Sequence, residues 1–390
     1  MKKRRIVVMG FMGSVPIAGV IWQHLHYIIG LQRLGHEVYY VEDSARYPYN
    51  PVSLDTSEVC TYAVGTLRGL AETFDFNWAY CARYLDPPQS FGLDLGRLRE
   101  LYLEADAILN ICGAQELHED LLKSAQLIYV ESDPGVEQIR VDQNSNGTQS
   151  HLSHYHMLFT FGENIGTDSF PVPLHGFKWL PTRQPIVTDF WKTDARVASD
   201  AIFTTVTNWS TRGRKDITWN EECYLWSKSE NFLKFVDAPQ AAAATIEMAT
   251  QIEDAPTAEL FRSRGWRLRS PHNLSIDWRL YRDYICGSRG EFTVAKDQYV
   301  RLHTGWFSDR SACYLAAGRP VITQETGFTR HYGGTGGLFA FSDLGEIKEA
   351  AAAIRADYAA HSRAAYEIAH QHFEAKKVLT SLIDRAGLSS

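Results

Sequence analysis

Ser308, Asp309, Arg310 and Ser311 open a short helical run that Gly318 and Pro320 close, immediately before the apolar run VIT. A helix start presents N–H groups without partners and a partial positive charge. This quartet can therefore hold an anion, with the Arg310 guanidinium as a second set of donors. An ordinary helix capped by Ser308 would use the same residues. Three further cations, Arg212, Arg214 and Lys215, follow the run AIFTTVTNW, and a glycine loop holds Ser288, Arg289, Gly290 and Glu291. The cations supply charge for an anion or form a solvated face. The loop lets backbone approach a ligand, and Glu291 can accept from hydroxyl groups.

Proton transfer needs a second kind of residue. His24 and His26 lie two apart on a helical run, so they cannot share a face and at most one points into a cleft. Histidine titrates near neutrality without a large shift, which ranks His24 just above Asp133, the residue after the strand-like LIYVES; Glu163 in FGENIG is a third candidate base. A packed histidine and carboxylates that cap turns are the alternative readings. Gly10, Gly13 and Gly19 allow close backbone approach after the first strand, but their spacing is not GxGxxG and does not favour a nicotinamide site. The chain has no Asp-x-Asp pair, and its six cysteines show no CxxC or Cys/His spacing. No metal site is expected, and the thiols read as reduced in a cytoplasmic protein.

Charge narrows the partners. The net charge of −7 argues against a general nucleic-acid binder, yet residues 262–319 carry eleven Arg/Lys against five Asp/Glu, a basic region suited to a small phosphorylated ligand. The basic start MKKRR leads into a run too short and glycine-broken for a signal sequence, and no uninterrupted apolar stretch is long enough to span a membrane.

Two α/β units must position these groups, because 390 residues exceed what one core usually holds. RIVVMG, then helical IWQHLHYIIGLQRL, then GHEVYYVED read as a βαβ opening with a parallel sheet, and strand and helix runs alternate to about residue 175. GFKWLPTRQPIVTDFWKT carries two prolines and no helical period, as in a linker. A second alternating series starts at AIFTTVTNW, and an alanine-rich helical tail follows Gly345. The expected units are residues 1–180, a linker over 181–200, residues 201–345, and closing helices over 346–390.

Three stretches together resemble glycosyltransferases of the two-domain GT-B type: PIAGVIWQHLHYIIGLQRLGHEVYYV, SDRSACYLAAGRPVITQETG with its AAG-x-PV core, and the closing helices from Asp343 to Phe373. The resemblance implies two doubly wound Rossmann-like domains facing a cleft, with C-terminal helices returning to the first domain. It further implies metal-independent transfer of a sugar from a nucleotide-diphosphate sugar, such as a UDP sugar, to an acceptor hydroxyl, with no other cofactor. Asp309, Arg310, Ser311, Ser308, the Ser288–Glu291 loop and the Arg212, Arg214 and Lys215 cluster would bind the donor. The first domain, with Gly13 and Gly19 in its loop, would bind the acceptor, whose identity is open. The sequence departs at Cys313, which stands where the family usually has the glutamate that holds the sugar nucleotide. A nucleotide-sugar 2-epimerase and an inactive nucleotide-sugar-binding protein are the alternatives on the same fold.

Overall fold

The computed structural model describes residues 2–193, 197–198, 201–210, 216–333 and 336–389. The first half contributes β1 (Arg5–Met9), β2 (Glu37–Ser44), the small hairpin β3 (Tyr49–Asn50) and β4 (Asp55–Thr56), β5 (Asn77–Ala82), β6 (Gln89–Phe91), β7 (Ala107–Ile111), β8 (Leu127–Glu131), β9 (Met157–Thr160) and β10 (Trp179–Pro181). Eight of these form one sheet in the order β10-β9-β8-β7-β1-β2-β5-β6, parallel except for the edge pair β5 and β6. Ile6, Val7 and Val8 of β1 are fully buried, as expected of a central strand with helices on both faces. The segment without helical period contains the edge strand β10, whose Pro181 sits at the strand end, where a missing N–H costs no ladder bond.

The second half contributes β11 (Phe203–Val206), the hairpin β12 (Ile217–Trp219) and β13 (Glu222–Tyr224), β14 (Ile246–Ala249), β15 (Trp266–Arg269), β16 (Gly290–Thr293), β17 (Val321–Gln324) and β18 (Leu338–Phe341). Six strands form an all-parallel sheet in the order β15-β14-β11-β16-β17-β18. In each sheet the strand order reverses at one point, between β1 and β7 in the first and between β11 and β16 in the second. Crevices open outside the carboxyl ends of strands at such reversals. Those two edges therefore have to build the site.

The tail returns to the first domain. After the helices Leu344–Ala356 and Tyr358–Ile368, the chain pairs with the connecting segment, Ile186 donating to Phe373 O at 2.7 Å and Ala375 donating to Ile186 O at 2.8 Å. Helix Ala375–Arg385 then lies on helix Ala18–Arg33, so close that a Cβ on Gly30 would fall 2.4 Å from Leu379 Cδ1. Glycine is needed there for the helices to meet.

Candidate functional site

A cavity of about 830 Å³ lies where the two carboxyl edges face each other. Phe11 after β1, Cys112 and Gly113 after β7, and Asp133 after β8 wall it from the first domain; Asn208, Trp226, Trp306 and Asp309 wall it from the second. Most of its lining belongs to the first domain.

The glycine loop after β1 is closed to an outside anion by the protein itself. The carboxylate of Glu42 accepts the N–H groups of Gly13 and Ser14, the Ser14 hydroxyl, and the Tyr40 hydroxyl at 2.7 Å. Burial pushes the Glu42 carboxyl upward, and these four donors oppose the shift. The glycines serve packing: a Cβ on Gly10 would lie 2.1 Å from the His24 ring and one on Gly13 2.8 Å from Leu67. Gly19 opens a narrow gap toward the second domain, facing Tyr281.

The two histidines are held away from the cavity. His24 is fully buried between Phe11 and Tyr40, and its Nδ1 lies 2.8 Å from the Val20 carbonyl. A carbonyl only accepts, so Nδ1 carries the proton and Nε2 is left as an acceptor without a partner among the described residues. Desolvation lowers the His24 pKa to about 4 and that of His26 to about 3. His26 accepts from the Val187 N–H at 3.1 Å and faces the narrow gap, as does Cys313. The ranking of His24 above Asp133 therefore reverses on geometry, because a base has to reach its proton.

Asp133 faces the cavity from the end of β8, and its carboxylate accepts from the Lys296 ammonium and the Tyr299 hydroxyl of the second domain. Lys296 in turn lies 3.8 Å from the centre of the Trp226 ring, and Tyr299 stacks on Trp306 at 4.3 Å. Glu163 is elsewhere. It makes a two-point pair with Arg183 at 2.7 and 2.9 Å beside His331, and it does not line the cavity. Its role in the structure is to tie the segment after β9 to the chain that crosses toward the second domain.

On the second domain, helix Asp309–Ala316 begins at the cavity with Ser308 as its cap, accepting from the Ser311 N–H at 3.4 Å. Asp309 lines the cavity, and burial raises its carboxyl pKa. The Arg310 guanidinium is already bound: Nε donates to Glu291 at 2.6 Å, and its two terminal nitrogens donate to Val206 O at 2.7 Å and Thr293 Oγ1 at 2.8 Å. It thereby joins the carboxyl ends of β11 and β16 and stiffens the helix start. The Ser311 hydroxyl and Glu291 Oε2 are buried without a partner among the described residues.

Ser288, Arg289 and Gly290 are at the wrong end of the sheet for the cleft. They enter β16 at its amino end, whereas the cavity lies at the carboxyl ends. Ser288 bonds to Thr204 and to Tyr284 O, Arg289 stacks on Tyr358, and a Cβ on Gly290 would lie 2.5 Å from Pro320 O. Those three are packing residues. Glu291, one position further on, reaches the site only through Arg310. Arg212, Arg214 and Lys215 lie outside the described residues.

The structure adds a cation that no sequence motif marks. Lys228, half-buried just before helix Ser229–Lys234, has its ammonium 5.8 Å from the Trp306 ring centre and no carboxylate within ion-pair distance among the described residues. Loss of solvent, with Arg310 and Lys296 nearby, lowers its pKa to about 7. The one signal in the sequence was its place: a lysine against a helix N-terminus is electrostatically unfavourable unless something else needs its charge. Among the described residues, no three His, Cys, Asp or Glu side chains gather where they could hold a metal ion, and no helix is long and apolar enough to cross a membrane.

Solved structures resemble this architecture over nearly the whole chain. AviGT4, a glycosyltransferase involved in avilamycin A biosynthesis, superposes with a TM-score of 0.54 at 12% identity, covering 98% of this chain and 97% of its own. An α-glucosyltransferase in complex with UDP and DNA gives 0.55 at 13% identity, covering 99% and 100%. Anabaena Alr3699/HepE in complex with UDP gives 0.53 at 10% identity, covering 98% and 99%. The fold is GT-B. No family model matches the sequence, and no curated protein matches it. At these identities the likeness carries the architecture alone. The GT-B arrangement accounts for the facing carboxyl edges, the crossing at Ile186 and the returning tail.

Proposed function

We propose that the chain is a metal-independent glycosyltransferase that moves a sugar from a nucleoside diphosphate sugar, with UDP the favoured carrier, to a hydroxyl acceptor in the first-domain cavity. The observation that carries this reading is Lys228, an ammonium with no carboxylate within ion-pair distance among the described residues, close enough to Asp309 and Arg310 at the start of helix Asp309–Ala316 to feel their charges. A diphosphate is the complement to that cation and to the partial positive charge of the helix start. As the glycosidic bond breaks, negative charge grows on the leaving phosphate oxygen, and Lys228 with the N-terminal turn stabilises it there. Arg310 acts as the brace that holds this turn on the sheet. Asp133 is the group suited to take the acceptor proton once Lys296 and Tyr299 yield it.

Two of the similar enzymes were solved with UDP, which supports that choice of carrier. The extent of first-domain lining favours transfer over 2-epimerisation on this fold, since an epimerase has no second substrate to house. A panel of nucleoside diphosphates tested by thermal shift decides the matter. UDP at 100 times its Kd should stabilise the fold by about 2.7 kcal/mol, with uridine far weaker. Failure of every diphosphate to stabilise the protein removes the reading.

A further inference from the structure

Ten large apolar side chains stand exposed among the described residues, and four of them fall within thirteen positions: Tyr47, Val52, Leu54 and Val59. The other six are scattered singly along the chain. Isolated exposed apolar residues are ordinary, whereas a group gathered on a segment that also lines a cavity marks a contact surface. This group belongs to the β3 and β4 hairpin, whose Tyr47, Tyr49 and Thr56 line the 830 Å³ cavity. The hairpin is fixed at its base, where Tyr49 donates to Ser14 O at 2.8 Å and the Tyr47 ring meets Tyr84 edge-on at 5.1 Å. At its tip Leu54 is 67% exposed and holds φ at +57°, a conformation that a branched side chain rarely adopts. The tip holds an apolar side chain in water two positions from Thr56, which lines the cavity.

We propose that the acceptor is amphiphilic, with a hydroxylated head inside the cavity and an alkyl or aryl tail lying over Val52 and Leu54. This rests on the reading of the cavity as an acceptor site. Continuity selects the occupant, since one molecule can touch the cavity wall at Tyr49 and leave across the tip. Charge argues against a bilayer as the occupant: Asp55 and Glu58 are the acidic groups of the segment, and its one cation, Arg46, is paired with Glu116 at 3.1 Å. An acidic lip is repelled by an anionic lipid surface.

Methyl and octyl β-glucoside present the same head with and without a tail, and calorimetry below the micellar range measures both on the full chain. Octyl β-glucoside should bind at least about tenfold tighter than the methyl compound, because several methylenes leave water on the lip. In the double variant Val52→Ser, Leu54→Ser that preference should fall to within about threefold, with the melting temperature and the UDP-induced shift as folding and donor-site controls. Equal binding of the two glucosides to the natural chain overturns the proposal, as does a tail preference that survives the double variant. Flotation with vesicles of phosphatidylcholine and phosphatidylglycerol should yield no bound protein. Vesicle binding that the double variant abolishes would replace the tail with a bilayer. The two readings fail separately: loss of the UDP shift strikes the donor site, and loss of the tail preference strikes only the acceptor class.

Discussion

Arg310 Nε donates to Glu291 Oε1 at 2.6 Å, and the carboxylate has no solvent exposure. The pair is structural before it is functional, because its partner bonds to Val206 O and Thr293 are also internal. Arg310→Ala should therefore destabilise the fold by about 3 to 5 kcal/mol, the cost of leaving a buried carboxylate unpaired. Urea titration checks this. A companion Arg310→Ala, Glu291→Gln protein should recover part of the loss; no recovery would mean that the pair is not what the single variant breaks.

Lys228 gives the proposed donor site a pH signature. Its pKa in the free protein is lowered to about 7, so above neutrality the ammonium is increasingly deprotonated, and a bound diphosphate must restore the proton. UDP affinity should fall as pH rises from 7 to 9, and calorimetry at pH 8 in buffers of different ionisation heat should report proton uptake. Lys228→Arg should bind UDP without that uptake. Lys228→Gln should lose about 1.5 to 3 kcal/mol of UDP affinity and little of uridine's.

Asp133 and His24 separate by assay. Asp133→Asn should lower kcat by roughly 10²- to 10⁴-fold with donor affinity nearly unchanged, as expected for a base toward the acceptor. His24→Ala should instead appear as lost stability, with turnover per folded molecule close to the natural enzyme's. The opposite pattern would return the base to the histidine.

His24 and His26 make the fold acid-sensitive. Both are neutral in the native state, with pKa values lowered to about 4 and about 3 from 6.5, so the unfolded chain binds more protons as pH falls below 6.5. Their contribution is full above pH 6.5 and declines progressively below it, through pH 4 toward 3. The melting temperature should drop over that window, and His24→Gln should reduce its slope by about one proton.

On the proposed mechanism turnover should persist in a chelator, since Lys228 and the helix start would supply the positive charge at the leaving phosphate. Activity abolished by chelation and restored by magnesium or manganese would reassign that chemistry to a metal ion.

What the sequence determined by itself is local. β-branched runs such as RIVVM, the apolar spacing of helix Ala18–Arg33 and the Ser308 cap are set by neighbours a few residues apart, so strand, helix and cap were readable and together gave two α/β units with a helical tail, whose return to the first domain was implied only by the GT-B resemblance. Tertiary structure alone decided which of the chemically able residues reach the cleft. Ser288 and Arg289 precede a strand that points toward the site, so they end at its far edge. Glu42, twenty-nine positions from Gly13, fills the loop whose glycines had suggested close backbone approach to an acceptor. Arg310 is held by Glu291 nineteen positions away, and His24 is packed under Gly10. Lys228 stands out only in three dimensions, because the groups that act on it, Arg310, Lys296, Glu291 and Asp309, are neighbours in space and not along the chain.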